Sequence, residues 1–261
     1  MQEKCTFLAK NLAVSIFFAN FAQNYGVSMA KKLDEDYMQL WEMNPVWAAL
    51  TDEERLFIMQ HVHVCHFRKN EVIHKEGDVP THMMMLVTGK LRVYKEGVGN
   101  RVQIIRMLKP YDFFAFRALI AGETYNTSVS AFEPSTVFKV EKEAFLRLVR
   151  QNNLFCYRFM VEMAKDLGRS DAKVVSLTQK HIRGRLAEAL IALKENYGLD
   201  EDGATLAMYM SREDLANLSN MTTANAIRTL SQFQSEGLIA IDGRRIKILN
   251  EAELIHTSQL G

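Results

Sequence analysis

The residues best suited to recognition chemistry lie between positions 211 and 228, where the sequence predicts two short helices joined by a tight turn. Ser211 and Thr222 begin these helices, because a hydroxyl at such a position can accept a backbone N–H. The second helix is narrow enough to enter a DNA major groove and present its first turn to base edges. Arg228 can donate two parallel hydrogen bonds to guanine or reach a phosphate, and Asn225 can pair with adenine. The spacing therefore predicts an interface for double-stranded DNA.

A two-stranded hairpin is predicted directly after these helices. Asp242 and Gly243 separate the β-rich runs 238–241 and 245–249, and an Asp-Gly pair is a strong signal for a two-residue hairpin turn. Two helices, a short turn and a hairpin form the winged helix-turn-helix pattern. The candidate DNA-binding residues are Ser211, Arg212, Thr222, Thr223, Ala224, Asn225, Arg228, Arg244 and Arg245. A small helical domain used for protein contact is the alternative.

The overall composition is that of a globular chain with about two domains. Hydrophobic residues make up 48% and charged residues 24% of the 261 positions, which excludes a disordered tail protein and a collagen-like chain. There are 32 Lys and Arg against 31 Asp and Glu, so the net charge of +1 carries no global signal for a nucleic-acid partner. The DNA hypothesis therefore depends on the local cluster of Arg212, Arg244, Arg245 and Lys247.

Cysteine usage and hydropathy exclude other kinds of site. Cys5, Cys65 and Cys156 form no C-x-x-C pair, which argues against a zinc ribbon and favours a reducing cytoplasm. No run reaches the roughly 18 apolar residues that span a bilayer, so no membrane partner is expected. The P-loop, G-x-S-x-G, H-E-x-x-H and EF-hand patterns do not occur. We therefore predict no enzyme, no catalytic residue and no metal site.

Short β-rich runs separated by glycine turns occupy the zone from about residue 64 to 140. The runs are 72–73, 83–87, 91–94, 102–107 and 135–140. Strands at this spacing predict a β-sandwich, barrel or roll. Met83, Met84 and Met85 alternate faces on such a strand, which favours packing over copper binding. The preceding stretch, from about residue 34 to 63, has a helical pattern with a capping box at 51–54.

From about residue 142 the hydrophobic period becomes helical. Two rows recur every seven residues, namely Leu154, Val161, Gly168 and Val175, and Met160, Leu167 and Val174. A long amphipathic helix with such a seam favours parallel pairing of two copies, and packing on its own domain is the alternative. A second helix is expected from about Lys180 to Tyr197, ended by Gly198.

Together, the motifs between about Pro45 and Leu249 resemble the Crp/Fnr superfamily of bacterial transcription regulators. The most telling fragments are Lys75-Glu-Gly-Asp78, Leu86-Val-Thr-Gly89, Leu108-Lys-Pro-Tyr-Asp112, Arg183-Gly-Arg-Leu-Ala187 and Ser211-Arg-Glu-Asp-Leu-Ala216. The resemblance implies an α+β fold with three parts. These are an N-terminal double-stranded β-helix (jelly-roll-like) effector domain, a long dimerisation helix and a C-terminal winged helix-turn-helix.

The implied organisation has four segments. They are an N-terminal extension at 1–28, a cyclic-nucleotide-binding-like β-roll sensor domain at 29–150, a dimerisation helix at 151–179 and a winged helix-turn-helix domain at 180–261. We interpret the extension as a misassigned start, with Met29 as the natural one, or as an added amphipathic helix. The resemblance implies a homodimer that binds a pseudo-palindromic operator, is gated by an effector and contacts RNA polymerase.

The predicted effector pocket departs from the family's cyclic-nucleotide pattern. Cyclic-nucleotide binders of the family use a Gly-Glu pair for the ribose and an Arg for the cyclic phosphate. Here Ala115 and Phe116 replace the pair and Tyr125 stands near the arginine position, so we predict that the effector is not cyclic AMP. The candidate pocket residues are Phe116, Arg117, Ala118, Tyr125, Asn126, Thr127, Ser170 and Asp171.

No resident cofactor is predicted. The family's iron–sulfur sensors use four cysteines, mostly near the N-terminus, where this chain has only Cys5, so a cluster is not expected. Haem sensing stays open as an alternative, because haem needs only one or two axial ligands. The candidates are His61, His63, Cys65 and His66, which lie close in sequence, and His74 and His82, which follow. There are two further alternatives. The chain could sense another small molecule, or it could be a cyclic-nucleotide-like module that acts through protein contacts.

Overall fold

A computed structural model describes residues 44–260 of the chain. The extension at 1–28, the expected start at Met29 and the helical pattern before residue 44 lie outside the described residues. Among the described residues, strands dominate up to residue 141 and helices dominate after it. The predicted α+β class is confirmed.

The first helix ends before the predicted boundary. A short 3₁₀ turn, Trp47–Ala49, precedes helix α1, Asp52–Met59, and the predicted capping box is present: Thr51 Oγ1 accepts from the Glu54 amide, and the Thr51 amide donates to Glu54 Oε2 at 2.8 Å. Residues 62 and 63, which were predicted to be helical, instead begin strand β1. The helical interpretation fails there because Val62 pairs with Val140 across a sheet, a long-range contact that overrides the local pattern.

Eight antiparallel strands form two four-stranded sheets, which we call the β-roll. They are β1 Val62–Phe67, β2 Val72–His74, β3 His82–Thr88, β4 Leu91–Glu96, β5 Val102–Leu108, β6 Phe113–Phe114, β7 Ser128–Ala131 and β8 Ser135–Glu141. The strand orders are β1-β8-β3-β6 and β2-β7-β4-β5. Side chains from both sheets, including Leu86, Val93 and Val129, share one buried cluster. The roll also contains helix α2, Phe116–Ala121, which like β6 and β7 was not predicted.

The three consecutive methionines pack on both faces of β3. Met83 and Met85 belong to the cluster beneath the helices, whereas Met84 belongs to the cluster inside the β-roll. The Trp47 Nε1–H donates to Met85 Sδ at 3.0 Å. The predicted packing role of this run is confirmed, because alternate residues of a strand face opposite sides.

Two helices follow the β-roll, α3 at Lys142–Gln151 and α4 at Asn153–Gln179. Asn152 separates the two helices, next to the predicted start of the dimerisation helix at 151. Its backbone is extended, and its side chain accepts from the Phe155 amide at 2.9 Å and donates to the Ala49 carbonyl at 3.0 Å. The Asn152 side chain therefore holds the start of α4 against the 3₁₀ turn Trp47–Ala49.

The two heptad rows, which we call the α4 seam, are largely exposed in the single chain. Leu154, Leu167 and Val174 are 52%, 64% and 60% exposed, respectively. A long row of exposed apolar side chains is unusual on a surface that stays in water. The seam is therefore available for a second helix.

The C-terminal domain has the predicted order of elements. It contains α5 Ile182–Tyr197, α6 Arg212–Leu218, α7 Thr223–Ser235, β9 Ile239–Asp242, β10 Arg245–Ile248 and an unpredicted α8, Glu251–Leu260. Gly198 ends α5 with a φ of +77°, as expected for a helix C-terminus. Ile104 and Phe132 of the β-roll are buried in the same cluster as Leu215 and Phe233 of this domain. The two domains thus share part of one core.

Candidate nucleic-acid interface and effector pocket

Helix α7, which we call the recognition helix, is held in place by its caps and by a neighbouring arginine. Thr222 Oγ1 accepts from the Asn225 amide at 3.2 Å, and Ser211 Oγ accepts from the Asp214 amide at 3.0 Å. The turn between the helices is clamped by Arg185, whose guanidinium donates to the Ser219 and Asn220 carbonyls at 2.9 and 3.0 Å. Sequence reasoning did not assign Arg185, because its partners are backbone atoms about 35 residues away.

The exposed face of the recognition helix carries most of its predicted DNA contacts. Thr222, Thr223, Ala224 and Arg228 are exposed, and Asn225 is half-buried. These side chains come from the first two turns of the helix, the part that can reach base edges. The structure therefore brings the helix candidates together on one open surface.

Ile227 lies on this exposed face and not in the core. Ala226, Leu230 and Phe233 of this helix are buried, whereas the apolar side chain of Ile227 is 48% exposed. Each residue turns a helix by about 100°, so Ile227 points well away from the buried line through 226, 230 and 233. An exposed apolar side chain here can contact a thymine methyl group.

The hairpin β9–β10, which we call the wing, is fastened to the first helix of the motif. The predicted hairpin is present, but its two-residue turn is Gly243-Arg244, because Asp242 is the last residue of β9 and pairs with Arg245. Gly243 adopts a φ of +56° at the first position of this turn. Arg212 Nη2 donates to the Gly243 carbonyl at 2.8 Å, and Arg212 Nη1 is buried without a partner among the described residues. Burial also lowers the pKa of the Arg212 guanidinium. The main role of Arg212 is thus to hold the wing.

The remaining cations of the interface differ in whether another group pairs with them. Arg228 and Arg244 are exposed and have no ion pair within residues 44–260. The guanidinium of Arg245 lies 5.3 Å from the ring centroid of Tyr209. Lys247, expected to add positive charge, lies 3.2 Å from Asp202 Oδ2. Hydrogen bonds from the Thr205 and Ala204 amides lower the pKa of the Asp202 carboxyl, so it stays ionised and offsets Lys247.

The effector-pocket candidates on α2 point in different directions. Phe116 is buried with its ring centroid 5.5 Å from that of Phe159 on α4, and Ala118 is also buried. Arg117 is directed to solvent, where Nη1 lies 2.8 Å from Glu123 Oε2. Ala115 adopts a φ of +67°, in the left-handed region that favours glycine. Ala115 thus keeps the backbone shape of the family's glycine. Phe116, at the position of the family's glutamate, is a core residue.

Tyr125 fills the interior of the β-roll together with His74. Their ring centroids are 3.8 Å apart, and His74 also stacks on Phe114 at 6.3 Å. The Tyr125 hydroxyl and both His74 ring nitrogens are buried without a hydrogen-bond partner among the described residues. Burial raises the pKa of Tyr125 to about 12 and lowers that of His74 to about 4. A neutral, desolvated pair therefore occupies the place where the family pattern would put a cation.

The other four pocket candidates are not joined to this pair. Asn126 is exposed and accepts from Lys95 Nζ through its carbonyl at 3.2 Å, and Thr127 is half-buried. Ser170 and Asp171 are exposed on α4, and Ser170 Oγ donates to the Asp166 carbonyl at 2.9 Å. From the sequence, His74 was considered only as one of several possible haem ligands, and nothing in the short run Val72–His74 marks it as a partner of Tyr125.

Two family models match the chain, and together they cover more than half of it. A cyclic nucleotide-binding domain matches residues 64–152, and a Crp-like helix-turn-helix domain matches residues 184–257. Their order and positions coincide with the β-roll and the winged domain. The chain belongs to the Crp/Fnr family of transcription regulators.

Curated relatives of this Crp/Fnr regulator span most of its length. It is 26% identical over 190 residues to the nitrogen fixation regulation protein FixK of Bradyrhizobium diazoefficiens, covering 72% of this chain and 79% of that protein. It is 21% identical over 218 residues to the cyclic AMP receptor protein of Thermus thermophilus, covering 84% and 98%. These homologues are transcription regulators and not enzymes, and Crp/Fnr homologues bind DNA, typically as dimers.

Solved structures show the same fold. The structure of FixK2 from Bradyrhizobium japonicum matches with a TM-score of 0.68 at 23% identity, covering 75% of this chain and 96% of that one. A putative Crp/Fnr-family regulator from Eubacterium rectale also matches with a TM-score of 0.68, at 18% identity, over 82% and 98%. The predicted β-roll, long helix and winged helix-turn-helix are confirmed.

Three of the histidines considered for haem in this Crp/Fnr regulator have ordinary local partners. His61 Nδ1 lies 2.8 Å from the Phe57 carbonyl, His63 Nε2 lies 3.1 Å from Glu141 Oε1, and His66 Nδ1 lies 3.1 Å from Thr136 Oγ1. Within the described part of the chain, no group of three or more His, Cys, Asp or Glu has the arrangement to hold a metal ion. No helix in residues 44–260 is both long and apolar enough to cross a membrane.

Proposed function

We propose that this Crp/Fnr regulator reads a specific DNA sequence through Thr223, Ala224, Asn225 and Arg228, with Thr222, Arg244 and Arg245 contacting the phosphate backbone. The observation that carries the proposal is the exposed first half of the recognition helix, which is fixed by the Thr222 cap and the Arg185 clamp. A helix held in this way presents its side chains without a large ordering cost. Arg212 and Ser211 act mainly by holding the wing and the first helix.

The functional unit we propose is a homodimer joined through the α4 seam. The exposed rows containing Leu167 and Val174 support this, because burying them against a second copy removes apolar surface from water. A two-fold dimer places two recognition helices about 34 Å apart, which suits a pseudo-palindromic operator. Such a regulator acts on chromosomal DNA in the cytoplasm, and RNA polymerase is its expected protein partner.

We further propose that the effector is not cyclic AMP. The Tyr125–His74 pair supports this, because it offers neither a cation for a cyclic phosphate nor space beside Phe114. Calorimetric titration of the full chain with cyclic AMP is expected to show no saturable heat. Binding in the micromolar range would overturn this part of the proposal.

Selection of bound DNA from a randomised duplex pool tests the main proposal. We expect enrichment of two inverted half-sites whose centres are separated by one DNA turn, about 34 Å. Enrichment of a single half-site would contradict the dimer, and the absence of any enriched sequence would contradict specific recognition by α7. The same pool screened with the Arg228→Ala variant identifies which base position that residue reads.

A further inference from the structure

An open cavity of about 650 Å³ lies between the β-roll and the wing. The β-roll contributes Lys69, Lys90 and Phe132, and the C-terminal domain contributes Tyr209 and Arg244 among others. The volume falls within the range of about 300–1,000 Å³ typical of small-molecule sites. We call this cavity the wing groove. It is separate from the β-roll interior that holds His74 and Tyr125.

The wing groove has an excess of positive charge. Four cations line it against two carboxylates, and these are Lys69, Lys90, Arg244 and Arg245 against Glu133 and Asp242. Lys90 is neutralised by Glu133, with Nζ–O distances of 2.9 and 3.1 Å. The other three cations have no ion pair within the part of the chain that the structure describes. Their mutual repulsion favours an anion in the groove.

The groove also offers flat aromatic surface. This surface is the ring of Tyr209, whose centroid lies 5.3 Å from the guanidinium of Arg245. Phe132, 5.9 Å from Lys69 Nζ, is buried and forms the floor of the groove. The Tyr209 hydroxyl donates to Asp200, which fixes the ring, while the side chain stays 37% exposed. A planar base can stack on such an aromatic and guanidinium pair. The groove therefore combines the two features that a nucleotide requires.

We propose that the wing groove binds a nucleotide carrying two or more phosphates. Lys69 and Arg244, from the two sides of the groove, hold the phosphates. Lys90 also contacts the phosphates and gives up part of its ion pair with Glu133. The base packs beside Tyr209 and Arg245. A ligand that joins the β-roll to the wing in this way favours the arrangement of domains in which the groove is formed.

A nucleotide in the wing groove weakens operator binding. Arg244 and Arg245 are also the wing residues assigned to DNA phosphates, so the two ligands compete for the same cations. Coupling between two ligands is reciprocal, and operator DNA therefore weakens nucleotide binding by the same factor. This consequence rests on the proposed DNA interface, whereas nucleotide binding itself does not.

Calorimetry of the full chain with ATP, GTP, CTP and UTP, without divalent metal, tests the site directly. At least one of these probes is expected to saturate the protein below about 1 mM. Lys69→Ala and Arg244→Ala should each weaken that binding about tenfold, since each removes a charge-assisted contact. Inorganic triphosphate should bind more weakly than the nucleotide, because it cannot stack. Arg101→Ala, which removes an exposed cation that does not line the groove, is the matched control and should bind like the wild type.

Three results would overturn the proposal. One is that none of the four nucleotides saturates the wild-type chain. The second is that Arg101→Ala loses as much affinity as Lys69→Ala, which would indicate non-specific charge attraction. The third is that Lys69→Ala leaves nucleotide binding intact but weakens binding of a long operator duplex, which would make the groove a surface for flanking DNA. Lys69 and Arg244 are exposed, so both variants should fold, and thermal unfolding checks this. Gel-shift assays without nucleotide report separately on the proposed DNA interface.

Discussion

Arg92 of the β-roll and Asp214 of helix α6 meet across the domain boundary, with Nη1 3.4 Å from Oδ1. Arg92 Nε also donates to Ser130 Oγ at 2.8 Å, and Asp214 Oδ2 accepts from Ser211 Oγ at 2.6 Å. The contact thus links a strand of the β-roll to the residue that caps the first helix of the DNA-binding motif. We expect this contact to couple the β-roll to the winged domain.

Arg92→Ala should loosen α6 without unfolding the β-roll. Both side chains are largely shielded from water, so we expect a loss of up to about 1 kcal/mol and amide exchange up to roughly fivefold faster in Arg212–Leu218. Hydrogen–deuterium exchange measures this effect. Arg117→Ala is the control, because it breaks an exposed ion pair with Glu123 on the surface of the β-roll and should leave α6 unchanged. Equal exchange in the Arg92→Ala variant and the wild type would show that the contact does not couple the domains.

Arg228→Ala should reduce operator affinity and relax specificity at one base pair. Loss of a bidentate contact to a base edge costs about 1–3 kcal/mol, which corresponds to roughly 5- to 150-fold weaker binding. Gel shifts with the selected operator and with single-base variants measure both effects. Gln234→Ala, in the last turn of the same helix, is the control and should bind like the wild type. A uniform loss on every sequence would instead assign Arg228 to the phosphate backbone.

Leu167→Glu should separate the dimer. Leu167 is 64% exposed in the single chain, so the substitution is tolerated in a monomer, but it places a charge in the apolar seam of the pair. Light scattering should report the monomer mass, and the protein should lose its preference for inverted half-sites. Arg169→Glu changes an exposed side chain that lies about 160° around α4 from Leu167, so this variant should remain dimeric. A dimeric Leu167→Glu variant would place the interface elsewhere.

Stability should fall between pH 6.5 and about 4 because of His74. Burial lowers the pKa of His74 from 6.5 to about 4, so within this window the unfolded chain binds a proton that the folded chain does not. The contribution of His74 is present above pH 6.5 and is lost as the pH falls towards 4, by up to about 3 kcal/mol. Denaturant unfolding across this range measures the change, and His74→Phe should flatten it.

Tyr125→Phe provides the matched control for the pH experiment. It removes the unpartnered hydroxyl but keeps the ring beside His74, so the pH dependence should persist while stability stays equal or rises. A His74→Phe variant that keeps the full pH dependence would assign the effect to other groups.

The helix-turn-helix was predictable because its signals are local. The Ser211 and Thr222 caps and the Gly198 helix end each act within four residues and appear in the structure as predicted. The predicted hairpin is also present, with its turn one residue later than expected, at Gly243-Arg244. The β-roll was predicted as a class, but β1, β6 and β7 were missed. Strand pairing such as Val62 with Val140 depends on residues far apart in sequence, so local patterns carry little information about it.

The sequence by itself determined the family, the order of the three main parts of the chain and the position of the helix-turn-helix. Only the tertiary structure showed that Phe116 is a core residue, that Tyr125 stacks on His74, that Ile227 is exposed and that Arg212 fastens the wing. The physical reason is that a cap or a turn depends on backbone geometry over a few residues. The role of a pocket or interface side chain instead depends on which distant groups desolvate it or pair with it, and these are set by packing across the whole fold.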